Sequence, residues 1–290
     1  MIDRRAAGIL LHPTSLPGPW GIGDLGAEAF RFIDFLHDAQ LRLWQILPLG
    51  PTGGGNSPYA GVSSFAGNPM LISPELLKEE GLLGAADFLD PPPFPEGRVD
   101  YTLLDPWKNT LVRRAADAFR RDAAHEQRQQ LEAFVSAESW WLDDFVLFNA
   151  LDEHFRQNPV KPAAKKGLLN RNWERDIALR EPEAVERWKK RLRGELELER
   201  IVQYLFYRQW LSLKSYAAEK GVEIIGDVPI FVAPDSADLW AARENFLIDR
   251  EGRLEALAGV PPDYFSAEGQ LWGNPLYNWE VMERDGFSWW

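Results

Sequence analysis

The first fifty residues hold a strand, a helix and a second strand in succession, and a unit of that kind commits a chain to a parallel sheet. Gly8-Ile9-Leu10-Leu11-His12 is a short apolar run closed by Pro13, the pattern of a buried strand. A Pro- and Gly-rich loop runs from Thr14 to Gly26. Ala27 to Gln40 then has helical spacing, with Phe30, Phe32, Ile33, Phe35 and Leu36 directed at a core. Leu43 to Leu47 is a second buried strand, closed by Pro48 and Gly50. Two parallel strands joined this way require a crossover, and the crossover is right-handed.

The third strand comes far downstream. Val222-Glu223-Ile224-Ile225-Gly226-Asp227 is again apolar and β-branched, with a polar residue at its end. A crossover needs only about a dozen residues, so an insertion separates strands two and three. Residues 51–73 form a Gly/Ser/Pro/Asn loop. From about 106 to 200 the chain is rich in charge and helix formers, with Trp140, Trp141, Phe145 and Phe148 at helical spacing. A long helix leads back, with Val202, Phe206, Gln209, Leu213 and Tyr216 near one face and Gly221 as its C-cap. Beyond strand three, 246–254 reads as a small hairpin and 259–279 as a long Pro/Gly/aromatic loop. A helix begins at Glu280, and the chain ends inside it at Trp289-Trp290.

The expected organisation is therefore α/β. Residues 1–73 carry strands one and two with their loops. Residues 74–200 are an inserted, mainly helical subdomain. Residues 201–290 carry strand three, the hairpin and the long loop, and stop before a fourth strand. Successive βα units make either a doubly wound sheet or a (β/α)8 barrel, and three strands fall short of the eight a barrel needs.

Composition narrows the function. The net charge is −12 and the basic residues are scattered, which argues against nucleic acid and anionic membranes and leaves neutral substrates open. No cysteine is present, so disulfides and thiolate metal sites are excluded, in keeping with a cytoplasmic location. No apolar run approaches the roughly 18 residues of a membrane span. Arg4 and Arg5 precede an apolar stretch that His12-Pro13 ends too early for a secretory signal. The 13 Trp serve cores first, but flat rings with a polar handle also suit sugar faces, and several stand in loop segments.

Several motifs fail on context. Gly21-Ile22-Gly23-Asp24-Leu25-Gly26 spells the dinucleotide fingerprint. That fingerprint must run directly from strand into helix, whereas a loop with Pro13, Pro17 and Pro19 intervenes, and no acidic residue closes the second strand. Gly50 to Asn56 is Gly-rich but lacks the Gly-Lys-Ser/Thr of a phosphate loop. The acids of 249–251 lack the ligand spacing of a calcium loop. The four His, at 12, 37, 125 and 154, have no metal-ligand spacing, and no G-x-S-x-G elbow occurs. Asp227, at the end of strand three, is the best placed acid. One carboxylate is not a glycosidase, which needs two about 5–5.5 Å apart for retention. Asp263 and Glu268 are the other tempting acids, both in the long loop.

Taken in order, His12-Pro13-Thr14-Ser15-Leu16-Pro17-Gly18, Gly21 to Gly26, Ser57-Pro58-Tyr59, Phe65-Ala66-Gly67-Asn68-Pro69, Ile225-Gly226-Asp227-Val228-Pro229-Ile230, Pro261-Pro262-Asp263-Tyr264-Phe265 and Trp272-Gly273-Asn274-Pro275-Leu276-Tyr277 resemble the amylomaltases, the 4-α-glucanotransferase or disproportionating-enzyme family. The resemblance runs from about residue 6 to the end. It implies the N-terminal part of a (β/α)8 TIM barrel with a large helical insertion between strands two and three. It implies no cofactor, α-1,4-glucans and maltooligosaccharides as partners, and transfer of a glucan segment by retaining double displacement. Residue by residue, Asp227 matches a supporting carboxylate, and Tyr59 a ring stacking at the donor sugar, with Ser57 beside it. Phe265, Gln270, Trp272 and Asn274 fall in the loop over the cleft. Tyr101 matches an accessory glucan groove whose second aromatic is replaced here by Gly54. The family's nucleophile follows the fourth strand in an Arg-Ile-Asp-His-type motif, and its other two catalytic carboxylates come later. The resemblance thus places no catalytic residue within these 290. A glucan-binding fragment without chemistry and an α-amylase-type hydrolase are the alternative readings.

Overall fold

The three expected strands pair as a parallel sheet in the order β1-β2-β3, formed by β1 (Gly8–Leu10), β2 (Leu43–Gln45) and β3 (Glu223–Ile225). The register sets Gly8, Leu43 and Glu223 side by side. The computed structural model describes residues 5–160 and 172–290. Arg4 and part of the expected helical stretch, 161–171, lie outside the described residues. The chain divides into two compact units. The first comprises residues up to Pro51, Ala66–Ser139 and Glu197–Val228, and the second Thr52–Phe65, Trp140–Leu196 and Pro229–Trp290.

In the first unit, α1 (Ala27–Asp38) covers the sheet. Ala29, Ile33 and Leu36 are fully buried, and Phe32 meets the ring of Trp44 at 5.1 Å. Trp44 is the buried centre of β2, and its indole N–H donates to Leu11 O at 2.8 Å. β1 and β3 are not the buried strands expected. Both show exposed ends around a half-buried middle residue, because each is an outer strand of a three-stranded sheet. Phe35 also points outward, since the helix angle turns its position away from Ile33 and Leu36.

Between β2 and β3 run α2 (Pro74–Glu79), α3 (Tyr101–Asp122), α4 (His125–Gln157), α5 (Arg175–Ala178), α6 (Pro182–Arg191) and α7 (Arg193–Glu219). Asp100 starts α3 by accepting the Thr102 N–H. α3 brings Leu111, Val112, Ala115, Ala116 and Phe119 into the same core as Leu205, Phe206 and Leu213 of α7. Gly221 ends α7 as expected. At φ 69° it lets Val222 N–H reach Ala217 O and Gly221 N–H reach Ala218 O, the paired bonds of a Schellman cap.

Two buried glutamines of α7 hold the segment that follows the Gly-rich loop. Gln203 accepts from Gly67 N–H at 2.8 Å and donates to Gly67 O at 3.0 Å. Gln209 treats Ser73 the same way, at 2.7 and 3.2 Å. Each amide side chain acts as a substitute peptide partner where no strand is available. Gly67 has to be glycine, since a Cβ there would lie 1.9 Å from the Phe206 ring.

The Gly21–Gly26 stretch is a structural loop. A Cβ on Gly23 would strike Pro13 O at 2.2 Å. Asp24 accepts the Gly26 N–H at 2.9 Å and faces Lys108 at 3.3 Å. Lys108 is fully buried on α3, and burial pushes its pKa down and that of Asp24 up.

The second unit is built on aromatic packing. Trp173 lies 5.6 Å from Phe148, 5.9 Å from Phe155 and 5.9 Å from Trp240. Trp240 belongs to α8 (Ala237–Ala241) and donates to Ile177 O at 3.0 Å. β4 (Leu257–Val260) pairs antiparallel with β5 (Gln270–Pro275), so the expected loop at 259–279 is a hairpin whose Gly and Pro residues hid its alternation. At 246–254 an Ile248–Leu254 bridge closes the expected turn. Asp249 is used there by the backbone N–H groups of Glu251 and Arg253. The last helix, α9 (Trp279–Arg284), ends before the chain does. Gly286 adopts φ 72° and Phe287 N–H returns to Met282 O at 2.7 Å. The helix therefore does not run through Trp289-Trp290.

Compaction also divides the chain differently from boundaries at 73 and 200. Residues 74–139 share the core of the sheet through α3 and α7, an association that sequence order does not express.

Gln203→Leu strips Gly67 of both backbone partners in a buried place. Urea unfolding of the variant is expected to show a loss of roughly 2–4 kcal/mol, and Gln203→Glu, which would bury an unpaired carboxylate against the Gly67 carbonyl, a loss at least as large at neutral pH.

Candidate functional site

Parallel strands send their loops out at one edge, and barrel enzymes build their sites there. In the first unit that edge is prolonged by Leu11 N–H to Gln45 O at 3.0 Å and Ile46 N–H to Ile225 O at 2.9 Å. Asp227 follows two residues after β3 and is half-buried. His12 follows β1, and its Nδ1 is buried without a hydrogen-bond partner among the described residues. Burial lowers its pKa and favours the neutral ring. The sequence places His12 at the end of the first strand and at the head of a family motif, without assigning it a role of its own. Its place after a strand was the signal available.

Tyr101 opens α3 and packs with Phe94 and Val99 against Ile22, Met70 and Leu104. Burial, with Asp105 nearby, raises its phenol pKa.

In the second unit the 52–61 loop is pinched by a Thr52–Gly61 bridge and by Gly53 N–H to Ala60 O at 2.8 Å. Gly55 at φ 85° and Asn56 at φ 54° turn it. Ser57 Oγ accepts the Tyr59 N–H at 3.3 Å. Tyr59 stands about half exposed at the tip. Gly54 faces open space.

The β4–β5 hairpin carries the other four candidates. At its tip Asp263 accepts the N–H groups of Phe265 and Ser266 at 2.9 and 2.8 Å. That turn leaves Tyr264 97% and Phe265 89% exposed. Gln270, Trp272 and Asn274 lie along β5, where Gly273 at φ 81° breaks the regular alternation and leaves Gln270 and Trp272 exposed. The Trp272 indole donates to Gln270 Oε1 at 3.0 Å, and its ring meets Phe231 at 6.3 Å. Asn274 is turned inward, donating to Val232 O at 2.9 Å. Asp263 and Glu268 are exposed, with Asp263 holding the turn. Among the described residues no acid or His cluster could hold a metal ion, and no helix is long and apolar enough to cross a membrane.

One carboxylate of this unit escaped the motifs. Asp238, on α8, is 6% exposed and accepts the Ser64 N–H at 2.9 Å. Burial pushes its pKa up to about 6, against hydrogen bonds from Ser64 and the Trp289 indole that lower it. Sequence could not single it out, because its burial is made by residues distant along the chain.

Residues 11–290 match the family model described as 4-alpha-glucanotransferase. The chain is 49% identical to the 4-alpha-glucanotransferase of Synechocystis, covering 100% of this chain and 56% of that protein. It is 50% identical to the Thermus thermophilus enzyme, covering 99% and 54%. The chain thus spans about half the length of the relatives it matches. Among solved structures, amylomaltase from Streptococcus agalactiae in complex with acarbose superposes with TM-score 0.88 at 40% identity, over 99% of this chain and 56% of that one. Amylomaltase from Corynebacterium glutamicum, 17% identical, shares the fold with TM-score 0.68, over 97% and 38%.

An acid whose folded pKa lies above its ordinary 3.8 favours the folded state at low pH and loses that advantage as pH rises through about 4 to 6. Denaturant unfolding of wild type and Asp238→Asn at both ends of this window checks it. The difference should move in the variant's favour by roughly 3 kcal/mol from the acid to the neutral side.

Proposed function

Because the chain belongs to the 4-alpha-glucanotransferase family, we propose that it forms the N-terminal part of an enzyme moving α-1,4-glucan segments between maltooligosaccharides. The unbroken family match over residues 11–290 carries this reading. The parallel β1-β2-β3 sheet is read as the first three strands of a (β/α)8 barrel, with the helices from α2 to α7 inserted before the third. The protein works in the cytoplasm without a cofactor, on neutral glucans that its acidic surface does not repel.

The reaction is a retaining double displacement. A carboxylate attacks C1 of the donor sugar, and the C1–O4 bond breaks as an acid protonates the leaving oxygen. The same group, now a base, takes the proton of the acceptor's 4-hydroxyl. That oxygen attacks C1 and frees the carboxylate. The attacking and proton-transferring groups lie outside these 290 residues. Within them, Tyr59 stacks on the donor sugar beside Ser57, and Asp227 holds sugar hydroxyls. Tyr101 contributes to an accessory groove. Transfer exceeds hydrolysis only where water is kept out while a sugar enters. The hairpin does this by laying the rings of Phe265 and Trp272 over the bound chain, with Gln270 holding the Trp272 indole. Asn274 anchors the hairpin through Val232.

The complete polypeptide should turn maltotriose into glucose together with oligosaccharides longer than maltotriose, seen by chromatography of the products. Release of glucose and maltose alone would mean a hydrolase. The purified 290-residue chain should bind maltooligosaccharides without turnover. Turnover by that chain would overturn the assignment of the reacting groups and restore Asp263 and Glu268 as candidates.

A further inference from the structure

The second unit contains a cavity of about 240 Å³ that none of the assigned residues lines. Its walls are the rings of Phe65, Trp140, Trp141 and Trp289, and its polar groups include the carboxylates of Asp144, Asp238 and Glu244. We propose that this cavity is a binding pocket for a single glucosyl unit of an α-glucan, with Trp140 as its stacking ring and Asp238 as its hydroxyl acceptor.

Size comes first. The volume is below the roughly 300–1,000 Å³ of pockets that enclose drug-sized ligands and suits one pyranose ring. Chemistry comes second. A pyranose has an apolar C–H face and a rim of hydroxyl donors, so it needs a flat ring on one side and fixed acceptors at the edge. Trp140 and Trp141 are consecutive on α4 and behave oppositely. Trp141 is buried, whereas Trp140 is 61% exposed with Phe65 set edge-on against it at 4.6 Å. Its indole face is held in place and left open.

The acceptors are fixed before any ligand arrives. Asp238 is gripped by the N–H and hydroxyl of Ser64, by its own backbone N–H and by the Trp289 indole. Asp144 is tied to Arg180, whose guanidinium also lies 5.3 Å from the Trp240 ring. Pairing with Arg180 cancels one of the acidic charges, and burial favours the neutral form of Asp238 near pH 6. Glu244, the third carboxylate of the pocket, is exposed, so the rival ligand is an organic cation, which aromatic walls and carboxylates also attract.

The choice of glucose rests on the glucanotransferase reading, and the test separates the two. Maltose titration of the purified protein carrying Tyr59→Ala, which removes the ring assigned to the donor sugar, followed by tryptophan fluorescence, should saturate in the millimolar range. Trp140→Ala, at an exposed position, should weaken binding by about tenfold or more. Asp238→Asn, which keeps the shape, should weaken it severalfold. Unchanged affinity in both variants would overturn the proposal. So would saturation by tetramethylammonium with no response to maltose, which would make the pocket a cation site. Trp140-dependent maltose binding in a protein whose complete form yields no transfer products would sink the transferase reading alone. Transfer activity with maltose affinity indifferent to Trp140 would sink this inference alone.

Discussion

A buried loop is tolerable only if its backbone polar groups find partners, and at both ends of the 66–73 segment of the first unit those partners are side chains. Gln203 and Gln209 each satisfy one peptide N–H and one C=O of the 66–73 segment. Both project from α7, which also closes the core against α3 and hands the chain to β3 through the Gly221 cap. One helix therefore fixes where the Gly-rich loop's exit segment lies and where Asp227 begins. An apolar residue at either position would preserve the helix and lose the loop.

The Asp24–Lys108 pair solves a related problem. The loop is packed so closely that a Cβ on Gly23 would strike Pro13 O, and the largely buried Asp24 charge needs an internal partner. Lys108 supplies it from α3. Such a pair is weak evidence of stability in itself, because desolvation offsets much of its attraction. Its value is positional, since it ties the loop preceding α1 to the helix that follows it in the core. The glycines that mimic a dinucleotide motif are there for close packing.

Much of the candidate site was readable along the chain because it sits on local signals. Glycine-rich turns place Tyr59, a strand terminus places Asp227, and an ordered motif marks the loop segment that holds Gln270, Trp272 and Asn274. The hairpin itself was less readable, since Gly259, Gly269, Gly273 and Pro275 interrupt the pattern by which strands are recognised. Strand burial was overstated for β1 and β3, because apolar character alone does not say whether a strand is central or outermost. The Trp140 pocket was not readable at all. It joins residues 63–65, α4, α8 and the region of Trp289, and helical spacing on α4 could say only that Trp140 and Trp141 face different ways.

The sequence by itself determined the parallel order of the strands, the interruption by a helical stretch, the Gly221 cap and the family, all of which depend on short-range periodicity, turn chemistry or ordered motifs. Tertiary structure alone decided which polar groups are buried and by whom: Lys108 against Asp24, the glutamines against Gly67 and Ser73, Asp238 beneath Ser64 and Trp289. Burial is a property of surfaces brought together from remote parts of the chain. The same carboxylate is a solvated charge or a raised-pKa acceptor according to neighbours that no local pattern specifies.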